Sequence, residues 1–477
     1  MSDSYDLVVI GAGATGLGAA REARKAGRRV ALVEAEERPG GDCTHYGCVP
    51  SKALLETARR VQGARTGPAY GFSAPVTVDF PAVMDRVTAV IAEIEKDESP
   101  ALLAREGIDL VTGFARFTSP TTVQVGERTL TATRFVVASG SRAFVPPIEG
   151  LGEVPYLDNK TVFALRELPP QLLVLGGGPI GVELAQAFQR LGSKVTVVEG
   201  MPTVLGREEP MVAKVLTTVL EREGVTVRTG ATVERVSKGR RGPKAVVLHL
   251  SDGTTVTGTH LLVAVGRVPG TDGLDLDKAG VSLDKARVVT DARLRAAKTV
   301  WAAGDCTSRL QFTHVGDEQG RLAARNAFSR RGARWDDRVV PWVTFTEPEV
   351  AHVGLTEAQA YEKYGERALV STSRDSRGDR ARTAGETDGF TTLIAVPGRI
   401  GGMVFGRLVG MTVVSPMAGE VIAEGALAMR SGARVGRIAQ TIHAYPTWSL
   451  STRVAAARFF GTYGGMGARP ARPPKSD

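Results

Sequence analysis

The sequence predicts an α/β fold that contains two copies of a strand–glycine turn–helix–strand unit, followed by a separate C-terminal α+β domain. A glycine-rich turn between a buried strand and a helix occurs twice, near residues 11 and 176. The last third, from about residue 339, alternates strand-like and helical patterns but contains no such turn. With 477 residues, the chain is long enough for more than one hydrophobic core.

The first unit lies at the N-terminus. Residues 6–10 (DLVVI) have the pattern of a buried strand, and the turn GAGATG follows with Gly11, Gly13 and Gly16. A helical stretch then leads to a second strand, which ends at Glu34. In such a unit the glycines let the backbone approach a pyrophosphate, the helix N-terminus attracts the anion, and the acidic residue accepts a hydrogen bond from a ribose hydroxyl.

The same pattern returns after residue 170. Residues 171–175 (QLLVL) precede the turn GGGPIG with Gly176, Gly178 and Gly181, and the strand KVTVVE ends at Glu199. In both units the acidic residue lies 23 positions after the first glycine. One glycine turn is weak evidence, but two copies in the same frame are specific, so the chain is expected to bind two dinucleotides.

Composition and charge narrow the function classes. The formal net charge is +9, but the basic residues are scattered and no basic tract has interleaved aromatics. Small anionic ligands are therefore expected, and nucleic acid is not. Three cysteines and no signal-peptide pattern favour a cytoplasmic location. No apolar run reaches the roughly 18 residues of a membrane span.

Two of the cysteines, Cys43 and Cys48, lie in the stretch GGDCTHYGCVPSK directly after the first unit. On a regular helix their spacing puts the Cα atoms about 8–9 Å apart, whereas a disulfide needs less than about 7 Å. A redox pair would therefore need a distorted turn, which the glycines of this stretch allow. A zinc site would need further ligands at suitable spacing, which the sequence lacks. Two unrelated core cysteines remain an alternative.

Together these motifs resemble the class I pyridine nucleotide–disulfide oxidoreductases, a family that includes dihydrolipoyl dehydrogenase, glutathione reductase and mercuric reductase. The resemblance also rests on VVASGSR with Gly140, AVGRVPG with Gly266 and WAAGDC with Asp305, and it covers about residues 5–465. It implies a glutathione-reductase-like architecture. The expected parts are an FAD-binding domain (1–150 and 268–335), an NAD(P)-binding domain (151–267), a dimerisation domain (339–465) and a disordered tail (466–477).

The resemblance also implies roles for individual residues. Cys43 and Cys48 would form a redox-active disulfide, with Cys48 against the flavin and Cys43 exchanging with substrate. Lys52 would lie near the flavin and pair with Glu183. The residues expected to bind FAD or NAD(P) are Gly11, Gly13, Gly16, Glu34, Lys52, Gly140, Asp305, Gly176, Gly178, Gly181, Glu199 and Gly266.

Coenzyme choice is predicted from the end of the second unit. Glu199 suits a free ribose 2′-hydroxyl and repels a 2′-phosphate, so NADH is expected. Arg207 could reach a phosphate, so NADPH remains a second candidate. The third cysteine, Cys306, is expected to be a small packed residue.

The C-terminal region departs from the disulfide reductases of the family. Their acid–base His and orienting Glu correspond here to Tyr445 and Leu450, and His443 lies two residues before the His position. A phenol with a pKa near 10 is a poor proton shuttle, but a tyrosine stands at this place in mercuric reductases. No cysteine follows Cys306, so the terminal cysteine pair of those enzymes is missing. The charged stretch 373–382 is expected to be a loop.

The predicted function is therefore a homodimeric, mercuric-reductase-like enzyme that uses FAD and NAD(P)H to reduce a disulfide or a metal ion, with Tyr445 beside the thiols and no resident metal. Three alternatives remain. The first is a diaphorase, quinone reductase or oxidase that passes electrons directly from FAD, the second is a dihydrolipoyl dehydrogenase, and the third is a binding protein whose active site has decayed.

Overall fold

The computed structural model describes residues 3–239, 245–308 and 310–473. The chain forms two compact units. The first consists of residues 1–147, 155–169 and 261–336, and the second of residues 148–154, 170–260 and 337–477. The second unit thus combines the segment expected to bind NAD(P) with the C-terminal region. The division into three domains remains a prediction.

The described residues form the following α-helices and strands. The helices are α1 (Ala14–Lys25), α2 (Gly41–Tyr46), α3 (Cys48–Arg65), α4 (Phe80–Ile94), α5 (Pro100–Arg105), α6 (Pro179–Leu191), α7 (Pro210–Arg222), α8 (Thr313–Phe328), α9 (Glu357–Tyr364), α10 (Asp379–Ala384), α11 (Ala418–Ser431), α12 (Val435–Gln440) and α13 (Leu450–Ala457). The strands are β1 (Asp3–Ile10), β2 (Val30–Glu34), β3 (Ile108–Thr112), β4 (Ala115–Ser119), β5 (Thr122–Val125), β6 (Arg128–Val137), β7 (Ser141–Ala143), β8 (Gln171–Leu175), β9 (Lys194–Glu199), β10 (Thr226–Thr229), β11 (Val233–Lys238), β12 (Val246–Leu250), β13 (Thr255–Gly258), β14 (His260–Val263), β15 (Arg267–Pro269), β16 (Leu283–Asp284), β17 (Arg287–Val288), β18 (Val300–Ala302), β19 (Pro341–Thr344), β20 (Glu349–Gly354), β21 (Leu369–Arg374), β22 (Phe390–Val396), β23 (Arg407–Ser415) and β24 (Arg469–Pro470).

The first unit is built on a seven-stranded sheet in the order β3-β2-β1-β6-β5-β4, with β18 also paired to β6. Its central strands are parallel, and α1 connects β1 to β2. The β1 residues Leu7, Val8 and Val9 have no exposed surface. Val8 belongs to the core on one face of the sheet, and Leu7 and Val9 belong to the core on the other. Both faces are thus covered, which explains why the strand is apolar throughout.

The second unit contains a parallel sheet and an antiparallel sheet. The strands β8, β9 and β10 pair in parallel, in the order β10-β9-β8, and α6 connects the first two. The six-stranded sheet has the order β19-β20-β23-β22-β21-β24. Leu393 and Met411 are fully buried in its core, against residues of α11, α12 and α13. This α+β region agrees with the expectation from the sequence.

Two expectations about the C-terminal region are wrong. The stretch 373–382 is not simply a loop, because β21 runs to Arg374 and α10 begins at Asp379. The tail expected to be disordered from residue 466 contains β24, which pairs antiparallel with β21. Arg469 in this strand donates a hydrogen bond to Glu357 at 2.8 Å. Residues 474–477 lie outside the described residues.

An acidic residue is buried between β21 and α10. Asp375 is 5% exposed, and its Oδ2 atom is buried without a hydrogen-bond partner among the described residues. Burial raises the pKa of this carboxyl to about 7, because desolvation disfavours the charged form.

Candidate active site

The first glycine turn packs so tightly that its glycines are obligatory. Gly11 has φ +102°, and a Cβ atom there would lie 2.4 Å from the carbonyl oxygen of Ala138. A Cβ atom on Gly16 would lie 1.8 Å from the carbonyl oxygen of Gly11. No side chain fits at such distances, so helix α1 approaches β1 as closely as it does only because these residues are glycines.

Glu34 closes the first unit on its other side. One carboxylate oxygen accepts a hydrogen bond from the backbone N–H of Ala12 at 2.7 Å, and the other accepts one from Glu36 N at 3.0 Å. The carboxylate is thus fixed beside the glycine turn. It retains lone pairs for a further donor such as a ribose hydroxyl.

The second unit repeats this geometry. Gly176 has φ +110°, and a Cβ atom on Gly181 would lie 2.0 Å from the carbonyl oxygen of Gly176. Glu199 accepts a hydrogen bond from Gly177 N at 2.6 Å and another from the N–H two residues further along at 2.8 Å. The sequence repeat is therefore also a repeat of hydrogen bonds.

The middle glycines of both turns fit a bound pyrophosphate. Gly13 and Gly178 immediately precede the first residues of α1 and α6. A Cβ atom on Gly13 would meet nothing closer than 3.7 Å, and one on Gly178 would meet nothing within 4 Å. Their side-chain positions are open, so protein packing does not require glycine there, whereas close approach by a phosphate group at a helix N-terminus does. The residues present thus fit FAD in the first unit and NAD(P) in the second.

The two cysteines lie on either side of a break between two helices. Helix α2 ends at Tyr46, Gly47 adopts φ −128° and ψ −109°, and α3 begins at Cys48. The two cysteines therefore do not lie on one regular helix, and a redox pair at this spacing needs a departure of this kind. Cys43 is half-buried and Cys48 is exposed, and both are free thiols in this structure. The Cys48 sulfur lies 3.3 Å from the hydroxyl oxygen of Thr313, the first residue of α8.

The two thiols also interact with each other. The hydrogen bond to the Cys48 side chain, and then burial, raise the pKa of the Cys43 thiol far above its ordinary value. The two thiols therefore do not lose their protons independently of each other.

The cysteine segment packs directly on the first glycine turn. The N–H of Gly40 donates to the carbonyl oxygen of Ala12 at 2.8 Å, and Gly40 forms a parallel bridge with Gly13. A Cβ atom on Gly41, which has φ +63°, would lie 2.7 Å from the Cα atom of Gly13. The two glycines therefore place the thiol-bearing helix beside the expected pyrophosphate position.

Asp305 lies in a polar network that sequence reasoning found only in part. Its carboxylate accepts a hydrogen bond from the Ser141 hydroxyl at 2.6 Å. Arg267 donates to the same hydroxyl at 2.8 Å and forms an ion pair with Asp42 at 2.9 Å. Burial raises the pKa of the Asp305 carboxyl, although Ser141 and Arg267 lower it. Ser141, Arg267 and Asp42 come from three distant segments, so no local pattern marks them as partners.

Gly140 and Gly266 flank the strand pair β7–β15. Both have positive φ, +66° and +139° respectively. Gly140 accepts a hydrogen bond from Gly270 N, and Gly266 accepts one from Phe144 N, both at 3.0 Å. They turn the chain next to Ser141 and Arg267, so they shape the surroundings of Asp305.

Lys52 lies in the first compact unit of the chain, and Glu183 lies in the second. The Lys52 ammonium is 3.4 Å from the Ser51 hydroxyl on α3. Glu183 is 5% exposed on α6, and its carboxylate accepts a hydrogen bond from Phe345 N at 2.8 Å. The pairing expected between these two side chains remains a prediction.

The Tyr445 segment has partners of its own. Tyr445 is 70% exposed, and its hydroxyl donates a hydrogen bond to Asp379 at 3.0 Å. Leu450 is the first residue of α13. The His443 ring is nearly buried and lies 3.1 Å from both carboxylate oxygens of Glu424. His443 is therefore engaged with α11.

Cys306 is fully buried and its thiol donates to the Ala303 carbonyl at 3.2 Å, as expected of a packed residue. No group of three or more His, Cys, Asp or Glu side chains in the described ranges could hold a metal ion. In the same ranges, no helix combines the length and the apolar character needed to cross a bilayer.

Comparison with known proteins places this geometry in context. A family model described as pyridine nucleotide-disulphide oxidoreductase matches residues 5–320, and a model of the family's dimerisation domain matches residues 340–456. A mercuric reductase of Streptomyces lividans is 36% identical over 95% of this chain and 96% of its own length. A dihydrolipoyl dehydrogenase of Thermus scotoductus is also 36% identical, over 95% of this chain and 97% of its own.

A solved structure is similar over nearly the whole chain. It is the Cu(II) complex of the HOCl-induced flavoprotein disulfide reductase RclA of Escherichia coli. The TM-score is 0.85 at 30% identity, and the match covers 96% of this chain and 99% of that one.

Proposed function

This chain belongs to the pyridine nucleotide-disulphide oxidoreductase family and is an FAD-dependent enzyme that uses NAD(P)H, and from this premise we propose that it reduces a metal ion or a disulfide through Cys43 and Cys48. One observation carries the proposal. The two thiols share a hydrogen bond in a segment that packs on the glycine turn of the FAD unit.

Most of the residues proposed to bind the cofactors lie in the two repeated strand–turn–helix–strand units. A bound FAD would supply the chemistry that carries electrons from the reduced nicotinamide to a neighbouring disulfide. Ten residues are proposed to hold the two cofactors, and the contacts within the protein described above fix their positions. They are Gly11, Gly13, Gly16, Glu34 and Asp305 for FAD, and Gly176, Gly178, Gly181, Glu199 and Gly266 for the coenzyme side.

The thiols would divide the chemistry between them. A disulfide between Cys43 and Cys48 takes up two electrons and one proton to become one thiol and one thiolate. We assign the thiolate to Cys48, because its sulfur lies 3.3 Å from the hydroxyl of Thr313 at the N-terminus of α8, where a negative charge is stabilised. Cys43 must lose its proton to attack a substrate, and the two sulfurs then return two electrons as their S–S bond forms again.

The substrate class is proposed from the residues near the end of the chain. Leu450 cannot orient a base and Tyr445 is a phenol, which disfavours proton transfer to a thiol leaving group at neutral pH. A phenol oxygen can instead bind a metal ion. A mercuric reductase is among the relatives, and RclA was solved as a Cu(II) complex. Thiophilic metal ions are therefore the first candidates, and small disulfides the second.

The coenzyme is proposed to be NADH. The Glu199 carboxylate lies beside the second glycine turn, where it favours a free 2′-hydroxyl and opposes a phosphate by charge. The dimerisation domain matched at residues 340–456 supports a homodimer. The partner subunit would then bring its own Tyr445 segment to the thiols.

The proposal is tested by anaerobic titration of the FAD-loaded enzyme with NADH. Wild type should gain two alkylatable thiols and a long-wavelength charge-transfer absorbance. Cys48→Ser should abolish that absorbance, since the charged sulfur is lost. It should also lower Hg(II)- or Cu(II)-dependent NADH oxidation by roughly two orders of magnitude, as is usual when a nucleophile is removed. NADPH in the same assay tests the coenzyme assignment.

A matched variant separates this mechanism from direct transfer out of FAD. Cys306→Ser changes the third cysteine, which is buried away from the pair, and should leave the thiol-dependent activity in place. If Cys43→Ala turns over the metal ion and disulfides as fast as wild type, electrons bypass the thiols. The enzyme is then a diaphorase or quinone reductase.

A further inference from the structure

We propose that Asp379 is a positioning residue for Tyr445 and takes over the orienting task that Leu450 cannot perform. This inference rests on the role given to Tyr445 in the proposed function. It concerns a carboxylate that lies 66 residues upstream of the tyrosine in sequence and that no motif marks.

The contact has defined geometry. The Tyr445 hydroxyl donates to Oδ2 of Asp379 at 3.0 Å. The other carboxylate oxygen, Oδ1, lies 3.8 Å from the guanidinium of Arg382, one turn further along α10. One oxygen therefore faces the phenol and the other faces a cation.

A second contact joins the same helix to the same segment. The Arg380 guanidinium lies over the ring of Trp448, 5.4 Å from its centroid. The segment is itself closed by the Thr447 hydroxyl, which donates to the carbonyl oxygen of Ala444 at 2.7 Å. The Tyr445–Asp379 hydrogen bond is thus accompanied by a second contact between α10 and this internally bonded turn.

The direction of the Tyr445–Asp379 hydrogen bond determines which atoms of the phenol remain available to a metal ion. An ionised carboxylate only accepts, so it fixes the phenol hydrogen towards α10 and leaves the oxygen lone pairs free on the other side. The same hydrogen bond raises the pKa of Tyr445, which keeps the phenol neutral. When a metal ion binds the phenol oxygen, the O–H bond breaks and its proton has an acceptor 3.0 Å away in Asp379.

The pairing is tested first without any turnover, by ultraviolet difference titration of tyrosine ionisation. The chain has eight tyrosines, so subtracting the curve of a Tyr445→Phe variant isolates Tyr445. Asp379→Asn should move the Tyr445 curve to lower pH, towards a pKa of about 10. Asp388→Asn is the matched control, because this exposed acid pairs with Arg222 instead and should leave the curve unchanged. An unchanged curve in Asp379→Asn overturns the pairing.

Turnover with Hg(II) or Cu(II) tests the positioning role. Asp379→Asn should lower kcat by roughly threefold to tenfold, as expected for one exposed hydrogen bond, with little change in KM. Asp379→Glu should restore part of the loss. In a Tyr445→Phe background, Asp379→Asn should have no further effect. Independent effects of the two changes overturn the role.

Failure of the role given to Tyr445 in the proposed function can be distinguished from failure of its pairing with Asp379. If Tyr445→Phe retains full turnover, Tyr445 has no part in the reaction and the positioning role falls with it, although the titration shift is still seen.

Discussion

The two glycine-turn units are nearly the same in hydrogen bonding, and they differ only after Gly40 in the first and Leu205 in the second. In each, a backbone N–H donates back to the residue that follows the first glycine, from Gly40 to Ala12 at 2.8 Å and from Leu205 to Gly177 at 2.9 Å. Gly40 and Leu205 each lie 29 positions after the first glycine of their unit. The shared frame binds a dinucleotide, and it carries no redox chemistry by itself.

The difference begins with the next residue. In the first unit, Gly40 and Gly41 both have positive φ and turn the chain into α2, which bears Cys43. In the second, Leu205 also has positive φ, but the chain continues through turns to α7, which has no cysteine. In the proposed mechanism, the thiol chemistry therefore belongs to a segment attached to a repeated frame, and the comparison can be tested from both sides.

The largest effect is expected from adding one methyl group to each unit. In both Gly16→Ala and Gly181→Ala the new Cβ atom would lie 2.0 Å or less from a backbone oxygen. The helix must move away from the strand, at a cost above the usual 1–3 kcal/mol or so of overpacking. Gly16→Ala should be purified without FAD, as measured by flavin absorbance. Gly181→Ala should retain FAD but fail to be reduced by NADH. Loss of FAD from both variants would show that the units are not independent.

A smaller effect is expected at Gly41 and Gly206, where the two glycine-turn units begin to differ. Gly41→Ala places a Cβ atom 2.7 Å from a backbone Cα atom at φ +63°, whereas Gly206→Ala meets nothing closer than 3.7 Å. Strain of this kind costs roughly 1–3 kcal/mol. Gly41→Ala should weaken FAD binding about tenfold or more, and Gly206→Ala should bind FAD like wild type. Calorimetric titration of the apoenzyme with FAD measures both. Equal affinities would mean that the cysteine segment does not depend on its packing against Gly13.

The smallest effect is expected outside both units. Because the pKa of Asp375 is about 7 in the folded chain and near 4 when unfolded, folding binds a proton between these values. Stability should therefore fall as pH rises from about 4 to about 7. Asp375→Asn should be more stable than wild type at pH 8 by about 1–2 kcal/mol, because the amide adds an unpartnered donor that offsets part of the gain. Denaturant unfolding at pH 5 and pH 8 measures this, and FAD binding serves as the unaffected reference. Equal stability differences at both pH values would refute it.

Local patterns predicted the parts of the fold that depend on local packing. Residues 171–175 were expected as a strand and form β8. Strand β1 begins at Asp3, three residues earlier than predicted, because Asp3 pairs with Leu130 on β6. A partner about 130 residues away leaves no trace in a short stretch of sequence, so strand ends are set by pairing that the pattern does not contain.

In the candidate site, too, only the features that lie close together in the sequence could be predicted. The tight turns and the acidic residues that bond to them could be predicted because each set lies within one short segment. The partners of Asp305 could not, since Ser141, Arg267 and Asp42 meet only after folding. Helix α10 was missed because its charges suggested a solvated loop, although Ala381 within it is buried. Tertiary packing overrode the charge pattern there.

The buried carboxyl of Asp375 affects the heat that this protein absorbs on thermal unfolding. Near pH 7 that group is about half protonated in the native chain and almost fully ionised once exposed to water. Melting therefore expels a fraction of a proton, which the surrounding buffer must absorb. The calorimetric enthalpy of melting should accordingly differ between phosphate and Tris, in proportion to their enthalpies of ionisation.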